Sequence, residues 1–220
     1  GTKATELQSI FGNQPIRLIR NYRNSKKIMR LAQAVFPNAN ISSKDIDNCT
    51  REGNYPILDI AETEKEKINL VLNILISTLS ENPDGHSIAV LCAWQKEVKN
   101  YFEFINKNFD DCSFYVSDRN GMQNINAIHV TTFKSAKGLE FDTVIIPDFR
   151  LDFNNLSRYG VSWRDYYVGV TRAKSNLYLI SDSDLPSIRD YVASDSEFFE
   201  IDNRNNFTTE SHDFTDDLPF

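Results

Sequence analysis

Three short segments of this sequence hold residue types suited to phosphate chemistry. The first is Asn21-Tyr22-Arg23-Asn24-Ser25, which follows an apolar run at Ile16–Ile19. Tyr22 offers a face on which a base could stack, and Arg23 a fork for phosphate oxygens. The second runs from Thr131 to Asp142 (TTFKSAKGLEFD) and lies between two apolar runs. Its hydroxyls, two lysines and glycine, set in a strand-to-strand loop, suit contacts with a phosphate backbone. The third runs from Asp165 to Lys174 (DYYVGVTRAK) and sets Arg172 between a helix and a strand. A guanidinium there can stabilise charge developing on a transferring phosphoryl group. Each segment alone also admits a plainer reading: a core tyrosine beside a surface arginine, a charged turn, a helix-surface ion pair.

The sequence lacks a GxxxxGK[ST] loop, a GxGxxG fingerprint and an apolar run closed by Asp-Glu to hold Mg²⁺. A complete nucleotide site on this chain is therefore not expected. Cys49, Cys92 and Cys112 form no CxxC pair, and His86, His129 and His212 lie at no ligand spacing to them. No metal site and no disulfide framework follow from that pattern, and three free thiols fit a reducing compartment.

These segments need elements to hold them, and the composition permits a packed domain. Of the 220 residues, 40% are hydrophobic and 25% charged, a mix that excludes a wholly disordered chain. No apolar run approaches the ~18–20 residues of a membrane helix, and the N-terminal residues lack a signal-peptide pattern. The expectation is a cytoplasmic protein, with no membrane partner. The net charge of −7 belongs entirely to residues 195–220, which hold eight acids and one base, Arg204; residues 1–194 carry 23 charges of each sign. That division sets the expected organisation: a domain over 1–194, and an acidic C-terminal tail over 195–220 outside the packed core. Within the neutral part, Arg17, Arg20, Arg23, Lys26, Lys27 and Arg30 follow one another with no acid between them. Such a cluster could face phosphates or be a solvated face.

Periodicity predicts alternating strands and helices. Strands are expected at Ile16–Ile19, Pro56–Ile60, Ser87–Cys92, Phe114–Val116, Ala127–Thr132, Thr143–Pro147 and Leu177–Ser181. Helices are expected from Ser25 to about Phe36, from the Thr63/Glu66 capping box to about Leu79, and over Trp94–Asn108, Trp163–Lys174 and Asp184–Ala193. In the second helix Ile68, Leu72, Leu75, Ile76 and Leu79 are expected to face inward. The alternation implies an α/β fold, a parallel sheet with helices on both faces. Ligands on such sheets gather at the strands' carboxyl ends, which points to the loops after Ile19, Thr132 and Ser181.

Taken in order, the three segments resemble the fourth, fifth and sixth motifs of superfamily 1 DNA helicases of the UvrD/PcrA/Rep type. More narrowly, they look like the second RecA-like motor domain of that family. The resemblance spans about Pro15 to Ser181 and implies half a motor. In it Arg23 and Arg172 would reach the γ-phosphate of an ATP, with its Mg²⁺, held mainly by a first RecA-like domain. Tyr22 would stack near the adenine, Glu140 would contact the ribose or link the nucleotide to the motor, and Lys137 and Gly138 would shape the loop. Thr132, Lys134, Ser135 and Lys137 would lie along single-stranded or partly duplex DNA. The isolated chain, expected to be a monomer, would hydrolyse no ATP. Lys134 stands where the family usually has His, and Asp165 where it often has an apolar residue, so that helix start is open to different packing. With only about a hundred residues between the fourth and fifth motifs, the family's large helical insertion is expected to be reduced or absent. The rival readings are a catalytically silent RecA-like binding module and, more remotely, an unrelated nucleotide-binding enzyme.

Overall fold

The computed structural model describes residues 21–82, 86–109, 112–115 and 128–193. The strand expected at Ile16–Ile19, Arg17 and Arg20, and the acidic tail all lie outside the described residues. Strand β1 (Ile57–Ile60) is followed by β2 (Ile88–Cys92), β3 (Cys112–Tyr115), β4 (Ile128–Thr132), β5 (Phe141–Ile146) and β6 (Ala173–Ser181). All pair in parallel, in the order β1-β6-β5-β2-β4-β3. Central β2 aligns Val90 with Val130 of β4 and Ile145 of β5.

Helices cover both faces, and side-chain alternation along the strands divides the core in two. Ala89, Leu91, Val144 and Ile146 pack with helices α1 (Lys26–Val35) and α6 (Trp163–Val170), around Phe36 and Tyr166. Ile88, Val90, Cys92 and Ile145 point the other way, onto α3 (Glu64–Glu81) and α4 (Gln95–Asn108), where Leu75, Val98 and Ile105 are buried. Two short helices, α2 (Ser43–Asp47) and α5 (Phe153–Leu156), complete the elements used below. The expected architecture, a RecA-like parallel sheet covered on both faces, is the one found. No described helix is long and apolar enough to cross a membrane.

Local chemistry explains the boundaries. Ser25 caps α1 by accepting from Ile28 N, and Thr63 and Glu66 form the expected capping box of α3. Three expectations need correction. The inward face of α3 is turned by one position: Val71, Ile74, Leu75 and Thr78 are buried and Ile76 is exposed. The cause is Lys67, which an apolar ranking places outside but which is drawn in to pair with buried Asp148. Helix α6 stops at Val170 rather than Lys174, because Thr171 Oγ1 donates back to Tyr167 O (2.8 Å) and Val168 O (3.2 Å), and Phe141 N then takes Arg172 O into the sheet (3.0 Å). The last helix is a 3-10 turn over Pro186–Tyr191, because Ala193 is drawn to the sheet edge by bonds to Pro56 O (2.8 Å) and from Leu58 N (3.0 Å).

Candidate functional site: an arginine pair at one sheet edge, a hydroxyl loop at the other

Glu140 immediately precedes β5 and Arg172 immediately precedes β6, so both stand at the amino edge of the sheet. This corrects the carboxyl-end expectation for the arginines. Thr132 closes β4 at the carboxyl edge, and residues 133–140 cross to the other side. At ~3.3 Å per residue, the five residues of β4 put about 16 Å between the two edges. One motif therefore serves two faces of the molecule.

At the amino edge the three motifs interlock. Asn21 Oδ1 accepts from Arg23 N (3.0 Å) and Asn24 N (3.3 Å), an Asx turn that folds the segment back on itself. Arg51 holds the same turn from outside, donating to Tyr22 O (3.2 Å), Arg23 O (2.6 Å) and Ser175 Oγ (3.3 Å). Buried Asn24 donates through Nδ2 to Thr171 O (3.0 Å) and Ala173 O (2.7 Å), the carbonyls either side of Arg172.

Arg172 is only 7% exposed. Its guanidinium donates to Val168 O (3.1 Å), Leu139 O (2.9 Å) and Thr171 Oγ1 (3.3 Å), tying the end of α6 to the strap before β5. Burial, and then the like charge of Arg23, lower its pKa from the usual arginine value, while Glu140 acts the other way. Arg23 is the open member of the pair. Its side chain is 43% exposed and its Nε is paired with Glu140, itself 37% exposed. Tyr22, at 67% exposure, faces solvent beside it. Below the pair, Asp142 binds Lys174 Nζ (2.6 Å) and accepts from Ser87 N (3.1 Å) and Ser87 Oγ (2.6 Å). Although burial opposes it, these partners hold the Asp142 carboxyl down at about 2.

At the carboxyl edge, buried Thr132 accepts through Oγ1 from Ser135 N (3.2 Å) and lies 3.2 Å from Ser135 Oγ, closing a turn. Lys134 is exposed and donates to Gly160 O (3.3 Å). Lys137 is exposed, and Gly138 adopts φ +87°, a left-handed conformation that favours glycine. Phe133 is buried against Tyr166, ring centroids 4.8 Å apart, and fills the space above Gly169, where a Cβ would lie 2.6 Å from its ring. Asp165 is the N3 partner of Ser162 in the capping box that starts α6, its Oδ2 accepting from Ser162 N (2.8 Å). That is the different packing left open by its departure from the motif.

The same edge holds a buried charged group that the motifs did not indicate. Lys67 pairs with Asp148 and lies 3.3 Å from Glu64, while Tyr166 Oη donates to Asp148 O (2.9 Å). Glu97 accepts from Ala93 N and Trp94 N (both 3.2 Å). Burial, reinforced by the Asp148 charge, pushes its carboxyl up to about 7. Of the residues missed, Asn21 and Asn24 carry a signal, two asparagines three apart at a strand-to-helix junction. Arg51 and Lys67 carry none, because each is placed by a partner far along the chain.

Residues 95–184 match the family model described as the UvrD-like helicase C-terminal domain. No curated protein matches the sequence. Among solved structures, the chain is similar to the C-terminal domain of a possible DNA helicase from Lactobacillus plantarum WCFS1, at 17% identity and a TM-score of 0.57, covering 79% of this chain and 98% of that one. It is more loosely similar to the C-terminal domain of the DEAD-box protein Dbp5, at 14% identity and a TM-score of 0.46, covering 68% and 87%. With Mss116p bound to ssRNA and AMP-PNP, the figures are 13% and 0.47, covering 63% of this chain and 30% of that one. The match over residues 95–184 agrees with the resemblance carried by the motifs, and the first of these structures shares the fold: residues 95–184 are similar to the UvrD-like helicase C-terminal domain.

Proposed function

We propose that this chain is the second motor domain of an ATP-dependent DNA helicase or translocase, completing an ATP site in trans to a P-loop domain. The observation that carries the reading is the gathering of Arg23, Glu140 and Arg172, from three distant motifs, at one sheet edge. The residues fit a polyphosphate. Arg23 is half-exposed and held by a surface ion pair of the kind worth ~0–1 kcal/mol, so a phosphate can displace Glu140 at little cost. Exposed Tyr22 offers the adjoining ring face for a base. By the helicase resemblance, the Mg²⁺ of that ATP would be held mainly by the carboxylates of the P-loop domain.

ATP supplies the phosphoryl transfer; this chain supplies positioned charge. Arg172, bound to three acceptors of its own chain, fixes the frame, and Arg23 meets the phosphate. Glu140, released from Arg23, is then available to the ribose. The loop of Thr132, Lys134, Ser135 and Lys137 lies against single-stranded DNA at the opposite edge. Because residues 133–140 join the two edges, closure at one displaces the other, as translocation along a strand requires. The unpaired Cys49 and Cys92 fit a cytoplasmic setting.

The test is ATP hydrolysis by a protein carrying this domain behind a P-loop domain, with and without single-stranded DNA, beside the chain alone. DNA-stimulated turnover in the first and none in the second is expected. The silent binding module draws its support from the burial of Arg172, which reads equally as a structural tie. Absence of turnover in both proteins would favour it.

A further inference from the structure

A cationic face and the acidic segment are left unused by the reading above. Lys26 (3.5 Å), Lys27 (3.9 Å) and Arg30 (3.2 Å), along the first turns of α1, all share the carboxylate of Glu52. Arg51, next to Glu52, donates to two carbonyls and a hydroxyl, which take none of its charge. Four positive charges thus meet one negative. The loop that carries Arg51 and Glu52 is fixed to the helix. Lys26 N donates to Arg51 O (2.9 Å) and Lys27 N to Glu52 O (3.2 Å), so its carbonyls serve the open N–H groups at the start of α1. Gly53, at φ +74°, lies against Ser25, where a Cβ would collide with the serine side chain. Two residues on, Tyr55 lies under Lys27, with Nζ 3.8 Å from the ring centroid.

The same loop leads to the point where the described residues end. Pro56 O accepts from Ala193 N (2.8 Å) and Leu58 N donates to Ala193 O (3.0 Å), which sets Ala193 beside Ile57. From Ile57 back to Glu52 the backbone can span no more than ~18 Å. Residues 195–220 follow, with eight acids against one base, and Asp195, Glu197, Glu200 and Asp202 all come within nine residues of Ala193. The acids are therefore within reach of the face. We propose that this acidic segment docks on the face formed by Lys26, Lys27, Arg30 and Arg51, as a polyanion carried by the chain itself. Charge complementarity selects it, and the tether holds it at the face at an effective ~1 mM, an advantage over any scarcer acidic partner. The contact stands apart from the nucleotide reading, and its failure leaves the arginine pair untouched.

The experiment acetylates the 220-residue chain briefly with acetic anhydride and reads each lysine by mass spectrometry. Wild type is compared with a variant in which the eight acids of 195–220 become amides, Asp195→Asn, Glu197→Gln and so on through Asp217→Asn. These replacements keep side-chain size and touch no residue of either core. Lys65 and Lys99, exposed on α3 and α4, are the internal reference. Against it, Lys26 and Lys27 are expected to react about threefold or more slowly in wild type than in the variant, the protection a sub-millimolar contact gains from that tether. Wild type in ~1 M salt, where the Debye length is ~3 Å, should match the variant. Equal reactivity of Lys26 and Lys27 in the two chains would overturn the docking. So would a change shared by Lys65 and Lys99, which marks the field of the whole chain rather than a contact. Protection that falls on dilution would overturn it in favour of the acidic segment of a second copy. Protection kept in the variant but lost after nuclease treatment would give the face to nucleic acid instead.

Discussion

Asn24 donates to both carbonyls that flank Arg172, at 3.0 Å to Thr171 O and 2.7 Å to Ala173 O. The arginine that the proposed function relies on is thus located by a neutral side chain 148 positions away, without competing for its charge. Neither partner is free to move without the other. Arg172 in turn bonds Leu139 O, beside Glu140, so the fourth, fifth and sixth motifs form one rigid frame around the half-exposed Arg23.

Asn24→Ala leaves two buried carbonyls without their donor, a loss of ~1–3 kcal/mol. Chemical denaturation of the chain should show the midpoint fall by that amount. In a protein with a P-loop domain, turnover should drop with little change in single-strand affinity, since the strand loop lies at the other edge. Equal losses in both would mean that Asn24 supports the fold alone.

Gly169→Ala places a methyl group 2.6 Å from the Phe133 ring, backed by Tyr166. Overpacking of this kind costs ~1–3 kcal/mol, read as a lowered unfolding midpoint. The double variant Gly169→Ala/Phe133→Leu should recover part of the loss, because the smaller side chain makes room. No recovery would place the strain elsewhere.

Glu97, with a folded-state pKa raised to about 7, works against stability as pH rises. The folded carboxyl holds its proton where the unfolded one, near 4.5, has released it. Its contribution is fully present below about pH 4.5, is lost between there and about 7, and is flat above. At 1.36 kcal/mol per pKa unit the whole effect is on the order of 3 kcal/mol. Glu97→Gln, which keeps the acceptor for Ala93 N and Trp94 N, should flatten the unfolding free energy across that window. A slope that persists in the variant would assign it to another group.

Lys134→Ala should lower the salt slope of strand binding by about one unit, as one phosphate contact is lost. An unchanged slope would take Lys134 off the strand path.

Much of the fold was legible because it rests on local patterning. The fully buried β2 and the Thr63/Glu66 capping box follow from apolar runs and spacing within a few residues. What stayed hidden was decided by distant partners. Lys67 turned α3 because Asp148 awaited it across 81 positions, and Thr171 ended α6 through hydroxyl bonds that no periodicity registers. The site divides in the same way. The motifs supplied Tyr22, Arg23, Glu140 and Arg172, but not the edge they share, since strand-end reasoning placed them at the carboxyl side. The crossing of residues 133–140 without a helix, from the end of β4 to the start of β5, takes Glu140 there, and Arg172 is there because it precedes β6.

The most direct measurement is single-turnover ATP hydrolysis by a two-domain protein bearing this domain behind a P-loop domain, with Arg23→Ala and Arg172→Ala against wild type. Arg23→Ala is expected to lose ~10³-fold or more in rate, as removal of a phosphate-facing arginine does, and Arg172→Ala to lose turnover with the frame it ties, while both bind single-stranded DNA nearly as wild type does. Arg23→Ala is the cleaner arm, because its side chain is half-exposed and bears little of the fold. Turnover within threefold of wild type in Arg23→Ala would contradict the account, leaving the arginine pair as a structural tie at the sheet's amino edge.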